Sequence, residues 1–176
     1  MRILIAGSVS CEIPNKYIKE AEKFTDYLIE NKCDVICCAD KRGVIGSIYN
    51  KIKTKCNIVL AMPKVYMEHS ENIEQDVDKI TNTINERTDY IIQNSDVAIF
   101  FPGGIGTIYE LLSAIETRRA GEHKSKIIIV NIDGFFNDLL EMLDKIYKEK
   151  FAKEINRDEY NIVENIKETI DCIENM

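Results

Sequence analysis

The 176-residue chain has no tryptophan, two histidines, three prolines and eight glycines. His69 and His123, with no CxxC pair among the six cysteines, leave a Cys/His zinc site without its ligand spacing. Cys37 and Cys38 stand side by side in a strand-like run, so reduced structural thiols are expected rather than disulfides. No apolar run is long enough to span a bilayer, and that in MRILIAGS is too short for a signal peptide, so the expected location is the cytoplasm. Positive charge is also in deficit, the net charge being −7. Nucleic acid polymers and anionic membranes are held by basic patches, so neither is an expected partner. A small anion stays open, because a local backbone turn can hold one whatever the net charge.

A composition 45% hydrophobic and 30% charged, with little Gly or Pro, is that of an ordinary folded domain, and residues 1–176 read as one. Apolar runs at Arg2–Ala6, Asp34–Cys38, Asn57–Ala61, Val97–Phe101, Lys126–Asn131 and Tyr160–Val163 predict strands. Between them, apolar residues at helical spacing predict helices over Asn15–Asn31, Gly43–Lys53, Lys79–Asn94 and Thr107–Ala120. Two more helices carry Leu139, Leu140, Leu143 and Ile146, then Ile166, Ile170 and Ile173. Met62 to Asp78 reads as a long polar loop whose acidic part, Glu68 to Asp78, is a solvated face. Alternation of strand and helix predicts an α/β fold with a mostly parallel sheet and helices on both faces.

The stretch Asp96–Leu112, DVAIFFPGGIGTIYELL, runs from a buried strand through Pro102, Gly103, Gly104 and Gly106 into a helix at Thr107. Such a turn lets a ligand approach the backbone, and the helix N-terminus presents N–H groups and a positive dipole end that suit a phosphate. Gly7-Ser8, after the first strand, either adds donors to the same ligand or is a plain turn. Gly43 and Gly46 mark a weaker second turn of this kind. Arg118 and Arg119 fall near a helix C-terminus, where cations are stabilising.

Arg87 falls on the stripe of Ile80, Ile84 and Ile91, an apolar helical face where a guanidinium needs a partner or a ligand. It either pairs with a structural carboxylate, or snorkels, or meets a ligand. Glu110 lies away from the stripe of Ile108, Leu111, Leu112 and Ile115, in the first turn beside the glycine-rich segment. Thr107-x-x-Glu110 also fits a capping box, a purely structural alternative.

PGGIGTIYE at Pro102–Glu110 resembles the PGGxGTxxE motif of the LOG family, the cytokinin riboside 5′-monophosphate phosphoribohydrolases, earlier labelled lysine decarboxylases. Glu86-Arg87 resembles the family's ERK element, IIVNIDGFFNDLL its NVDGYYxxLL segment, and AGS its first turn. The resemblance implies a Rossmann-like, doubly wound fold and a homodimer with active sites near the interface. It implies hydrolysis of the N-glycosidic bond of a nucleoside 5′-monophosphate, with no metal and no other cofactor. By it, Gly7, Ser8, Gly103, Gly104, Gly106 and Thr107 would bind the small-molecule substrate, and Arg87 and Glu110 would be catalytic.

Three departures accompany the match. Thr88 replaces the lysine of ERK, and Cys38-Ala39-Asp40-Lys41-Arg42-Gly43-Val44-Ile45-Gly46 replaces GGGxxGLMG. Thr117 and Arg119 stand near the family's usual tryptophan and glutamine. The second departure leaves open an alternative: a non-catalytic nucleotide-binding sensor or carrier of the same fold. Sugar transfer to an acceptor other than water is a more distant reading.

Overall fold

The computed structural model describes residues 1–67, 77–153 and 159–175. Seven parallel strands form one sheet: β1 (Arg2–Ala6), β2 (Asp34–Cys38), β3 (Ile58–Pro63), β4 (Lys79–Thr81), β5 (Val97–Phe100), β6 (Lys126–Val130) and β7 (Tyr160–Val163). Their spatial order is β4-β3-β2-β1-β5-β6-β7, so the order reverses between β1 and β5. Ligands of doubly wound sheets bind at that reversal, beyond the carboxyl ends of the strands.

Beyond a charged first residue in β1 and β6, the central strands β1, β5 and β6 are apolar and buried because both faces are covered. Ile3 and Ile5 of β1 point into one core with Ile128 and Val130, against α1 (Asn15–Glu22), α2 (Phe24–Glu30), α3 (Gly43–Ile52) and α8 (Ile166–Glu174). Leu4 and Ala6 point into the other with Ala98, Phe100, Ile127 and Ile129. That second core packs under α5 (Ile84–Gln93), α6 (Ile105–Ala120) and α7 (Asn137–Lys148). The expected α/β, doubly wound fold is the one observed. Among the described residues, no helix is long and apolar enough to cross a membrane.

Four local expectations are corrected. The helix over Asn15–Asn31 is two, broken at Lys23, where the Thr25 hydroxyl donates to the Glu22 carbonyl at 2.7 Å. Part of the Met62–Asp78 loop is a helical turn, α4 (Lys64–Met67); residues 68–76, His69 among them, lie outside the described residues. Asp78, at the end of that segment, is not merely solvated: its carboxylate accepts the Leu60 N–H at 2.8 Å. The helix expected from Lys79 begins only at Ile84, because residues 79–81 pair with Ala61–Pro63 as β4. Ile80 had matched the helical stripe by spacing alone; it is a half-exposed edge-strand residue.

Candidate functional site

Two turns at the reversal point are stitched together. The Phe101 N–H donates to the Ala6 carbonyl at 2.8 Å, and the Ser8 N–H to the Pro102 carbonyl at 3.1 Å. Gly103 sits at this junction: a Cβ there would lie 2.2 Å from the Thr107 hydroxyl and 3.0 Å from the Gly7 backbone. Gly104 and Gly106 differ, since a Cβ on either would meet nothing within 4 Å. Both line a cleft of about 460 Å³, so their side chains would occupy ligand space rather than protein.

Helix α6 starts at Ile105, earlier than expected, with Gly104 as its N-cap and no side-chain cap. Thr107 is therefore inside the first turn, and the capping box with Glu110 does not form. The first-turn N–H groups face the cleft end of the helix, the usual anion position. The second glycine turn is arranged differently. At α3, the Ser8 carbonyl already accepts the Val44 N–H at 2.8 Å, and a Cβ on Gly43 (φ +57°) would lie 2.5 Å from that oxygen. Gly43 thus serves a close backbone crossing, and of the two helix ends the one at α6 is the more open to an anion.

Freed from capping, Glu110 turns inward and accepts a hydrogen bond from Arg87 Nη1. The pair is 5% and 7% exposed for Arg87 and Glu110 and forms part of the cleft lining. Helix α5 presents Arg87 because Thr83 caps it, its hydroxyl accepting the Glu86 N–H at 3.1 Å, while Glu86 accepts the Asn82 N–H at 2.7 Å. The inward stripe is then Ile84, Arg87, Thr88 and Ile91, the spacing of one helical face. Among the described residues, Arg87 Nε and the Thr88 hydroxyl are buried without a hydrogen-bond partner. Burial pushes the Glu110 carboxyl above the ordinary glutamate value, and the Arg87 charge counters part of the rise.

The expected site residues thus converge: Gly7, Ser8, Gly104, Gly106, Thr107, Arg87 and Glu110 all line the cleft, with Gly103 locked behind them. Of the other lining residues, Cys38 and Asp40 belong to the segment that departs from the family's glycine turn, whereas Ser10, Met62, Pro63 and Tyr66 carried no site signal in the sequence. Met62, Pro63 and Tyr66 form an apolar wall at the end of β3, and Ser10 and Cys38 stand nearer the reversal point. The Cys38 thiol is pushed up to about 12 by burial and by the Glu110 carboxylate, so it is inert as a nucleophile. Asp40 lines the same cleft; its carboxylate accepts the Arg42 N–H at 2.9 Å, Nε at 3.1 Å and Nη2 at 2.9 Å. Leu112, expected to face inward, is exposed; its place in the core is taken by Ala114. His123 is held by backbone groups: Nε2 donates to the Ala114 carbonyl at 2.9 Å and Nδ1 accepts the Ser125 N–H at 3.1 Å. Among the described residues, no three His, Cys, Asp or Glu side chains cluster as metal ligands.

Residues 42–173 match a protein family described as possible lysine decarboxylase. The chain is 27% identical over 173 residues to the cytokinin riboside 5′-monophosphate phosphoribohydrolase LOG7 of Arabidopsis thaliana, covering 97% of this chain and 79% of that one. It is 35% identical over 129 residues to a probable enzyme of the same name, LOGL1 of Oryza sativa subsp. japonica, covering 72% of this chain and 57% of that one. Among solved structures, the molybdenum cofactor carrier protein of Chlamydomonas reinhardtii has the same fold, with a TM-score of 0.72 at 12% identity over 99% of this chain and 96% of that one. A family match over three quarters of the chain, joined to relatives at this identity, makes the chain a divergent member of the LOG family, the family described as possible lysine decarboxylase.

Proposed function

We propose that the protein hydrolyses the N-glycosidic bond of a nucleoside 5′-monophosphate, giving a free base and ribose 5-phosphate. The observation that carries this reading is the buried Arg87–Glu110 pair lying in one cleft with the uncapped N-terminus of α6. Gly104, Gly106 and Thr107 would hold the 5′-phosphate on backbone N–H groups and the helix dipole, with Gly7 and Ser8 across the cleft and Gly103 setting the turn.

Cleavage sends the electron pair of the C1′–N bond to the base and leaves positive charge on the sugar. A Glu110 carboxylate beside C1′ offsets that charge. Arg87 donates a hydrogen bond to the departing base or orients the substrate. Water adds at C1′ and its proton passes by way of Glu110 to the base, a relay suited to a carboxyl whose affinity for protons is raised. The reaction consumes one water and needs no redox partner.

A homodimer fits one further feature. Ile105, Tyr109 and Leu112 stand at one-turn intervals on the outer face of α6, Ile105 being 87% exposed immediately beside the glycine turn. A second copy covering that face would bring the interface to the cleft. Six free cysteines fit a reducing, cytoplasmic setting.

The test is chromatographic detection of base release from ribo- and deoxyribonucleoside 5′-monophosphates, including a prenylated adenine nucleotide, with nucleosides and triphosphates as controls. Monophosphate-dependent release abolished by Glu110→Gln is the expected result. Silence across the panel, while the same assay detects release by an active relative, would sink the hydrolase reading. The second reading, a nucleotide-binding carrier, draws on Asp40 standing where the family has glycine. Tight binding with the ligand recovered unchanged would favour it.

A further inference from the structure

We propose that Asp40 reads the 2′,3′-hydroxyls of the bound pentose and so sets a preference for ribose over deoxyribose. The proposal rests on the nucleotide reading of the cleft given above. Asp40 lies just beyond the carboxyl end of β2, and the α6 N-terminus just beyond that of β5. One strand, β1, separates them in the sheet. Two strand spacings are roughly 10 Å, the reach of a phosphate, a pentose and one hydrogen bond. An acidic side chain near the end of the second strand is what dinucleotide-binding folds of this kind use to hold a ribose hydroxyl.

The carboxylate is built for that task. Its side chain is only 16% exposed and forms an ion pair with Arg42. Among the described residues, Oδ1 accepts both the Arg42 N–H and Nε, while Oδ2 accepts Nη2 alone. A carboxylate offers about four acceptor sites, so Oδ2 keeps capacity for a hydroxyl donor. The backbone contact fixes its orientation at the N-cap of α3, so little ordering cost remains for a ligand.

The cleft's own chemistry excludes the other assignments. A phosphate beside Asp40 would meet a carboxylate and compete with it for Arg42, whereas the α6 N-terminus offers N–H groups and a positive dipole end with no side-chain cap. A base ring fits the apolar wall of Met62, Pro63 and Tyr66 at the end of β3, one strand further on. The neutral, hydrogen-donating part of a nucleotide that remains between the two is its diol. Asp40 and Glu110 line the same cleft, with Cys38 between them in the lining at the end of β2.

The experiment compares ribo- and 2′-deoxyribonucleoside 5′-monophosphates of the same base, by kcat/KM and by calorimetric Kd, for wild type, Asp40→Asn and Asp40→Ala. Far-UV circular dichroism and urea midpoints establish that each variant is folded. Wild type is expected to favour the ribonucleotide by about ten- to a hundredfold, the worth of a charged hydrogen bond. Asp40→Ala should collapse the ratio toward one, with Asp40→Asn between. A wild-type ratio near one, or an undiminished ratio in Asp40→Ala, overturns the proposal. So does a variant that changes the preference among bases but not between sugars. Equal turnover of both sugars would refute the diol assignment and leave the hydrolase standing. A ribose preference in Kd without base release, lost in Asp40→Ala, would do the reverse. Failure to bind any monophosphate refutes both.

Discussion

The Arg87–Glu110 pair should be expensive to break from one side and cheap to remove altogether. Its side chains are 6% and 9% exposed, so water screens them little. Arg87→Met leaves a buried carboxylate without its counter-charge, and Glu110→Leu leaves a buried guanidinium; each loss is expected to cost about 3–5 kcal/mol. With an unfolding entropy near 2.1 cal/mol/K per residue, the chain's is roughly 0.37 kcal/mol/K, so each single variant should lose about 8–14 °C in Tm. The double variant removes both desolvated charges and should unfold within about 1 kcal/mol of wild type or above it. The two singles should also differ in pH response. In Arg87→Met the Glu110 carboxyl can take up a proton, so its deficit shrinks as pH falls from 7.5 to 5.5. An arginine cannot shed its charge in that range, so the Glu110→Leu deficit should not shrink the same way. Thermal and urea unfolding of the four proteins at both pH values reads this directly. A double variant losing the sum of the two singles would refute the reasoning, because it would mean that the groups contribute independently.

Gly103→Ala should cost about 1–3 kcal/mol by overpacking against Thr107 and Gly7. Gly104→Ala should change the urea midpoint little yet weaken monophosphate binding, and the design fails if the stability losses come in the opposite order. His123 is held neutral: burial lowers its pKa first, Arg118 also lowers it, and the Ala114 carbonyl, Glu122 and Glu159 oppose. A histidine whose folded pKa lies below its unfolded value contributes stability that is present above about 6.5 and is lost as pH falls through that range. Wild type should therefore lose urea stability between pH 7 and 5 more steeply than His123→Gln; equal slopes would remove His123 as the cause. Iodoacetamide at pH 8 should alkylate exposed Cys11 well before Cys38, whose thiol is pushed up to about 12 although it lines the cleft. Mass spectrometry finding Cys38 labelled as fast as Cys11 would contradict that.

The strands were readable because a strand buried on both faces has to be apolar where it is buried, and β1, β5 and β6 are, the charges of Arg2 and Lys126 standing only at their first positions. The glycine turn was readable because the residues that form it are local: Pro102 to Thr107 mark a strand-to-helix junction by their composition, though not the residue at which the helix begins. Arg87 was placed on an inward face by helical spacing, and it stays there although Ile80 does not belong to that helix. β4 escaped notice because three residues at a sheet edge carry no period of their own; only pairing with Ala61–Pro63 makes them a strand.

Whether Glu110 caps its own helix or meets Arg87, 23 residues away, depended on where α6 begins. That start is set by Gly104 and the stitched turns behind it, contacts between segments far apart in the chain. Asp40 and the Met62–Tyr66 wall likewise belong to the site only because β2 and β3 lie beside β1 in the sheet. Local order follows from side-chain pattern and backbone chemistry over a few residues. A cleft, and the charge pair forming part of its lining, exist only once parallel strands bring the loops at their carboxyl ends together.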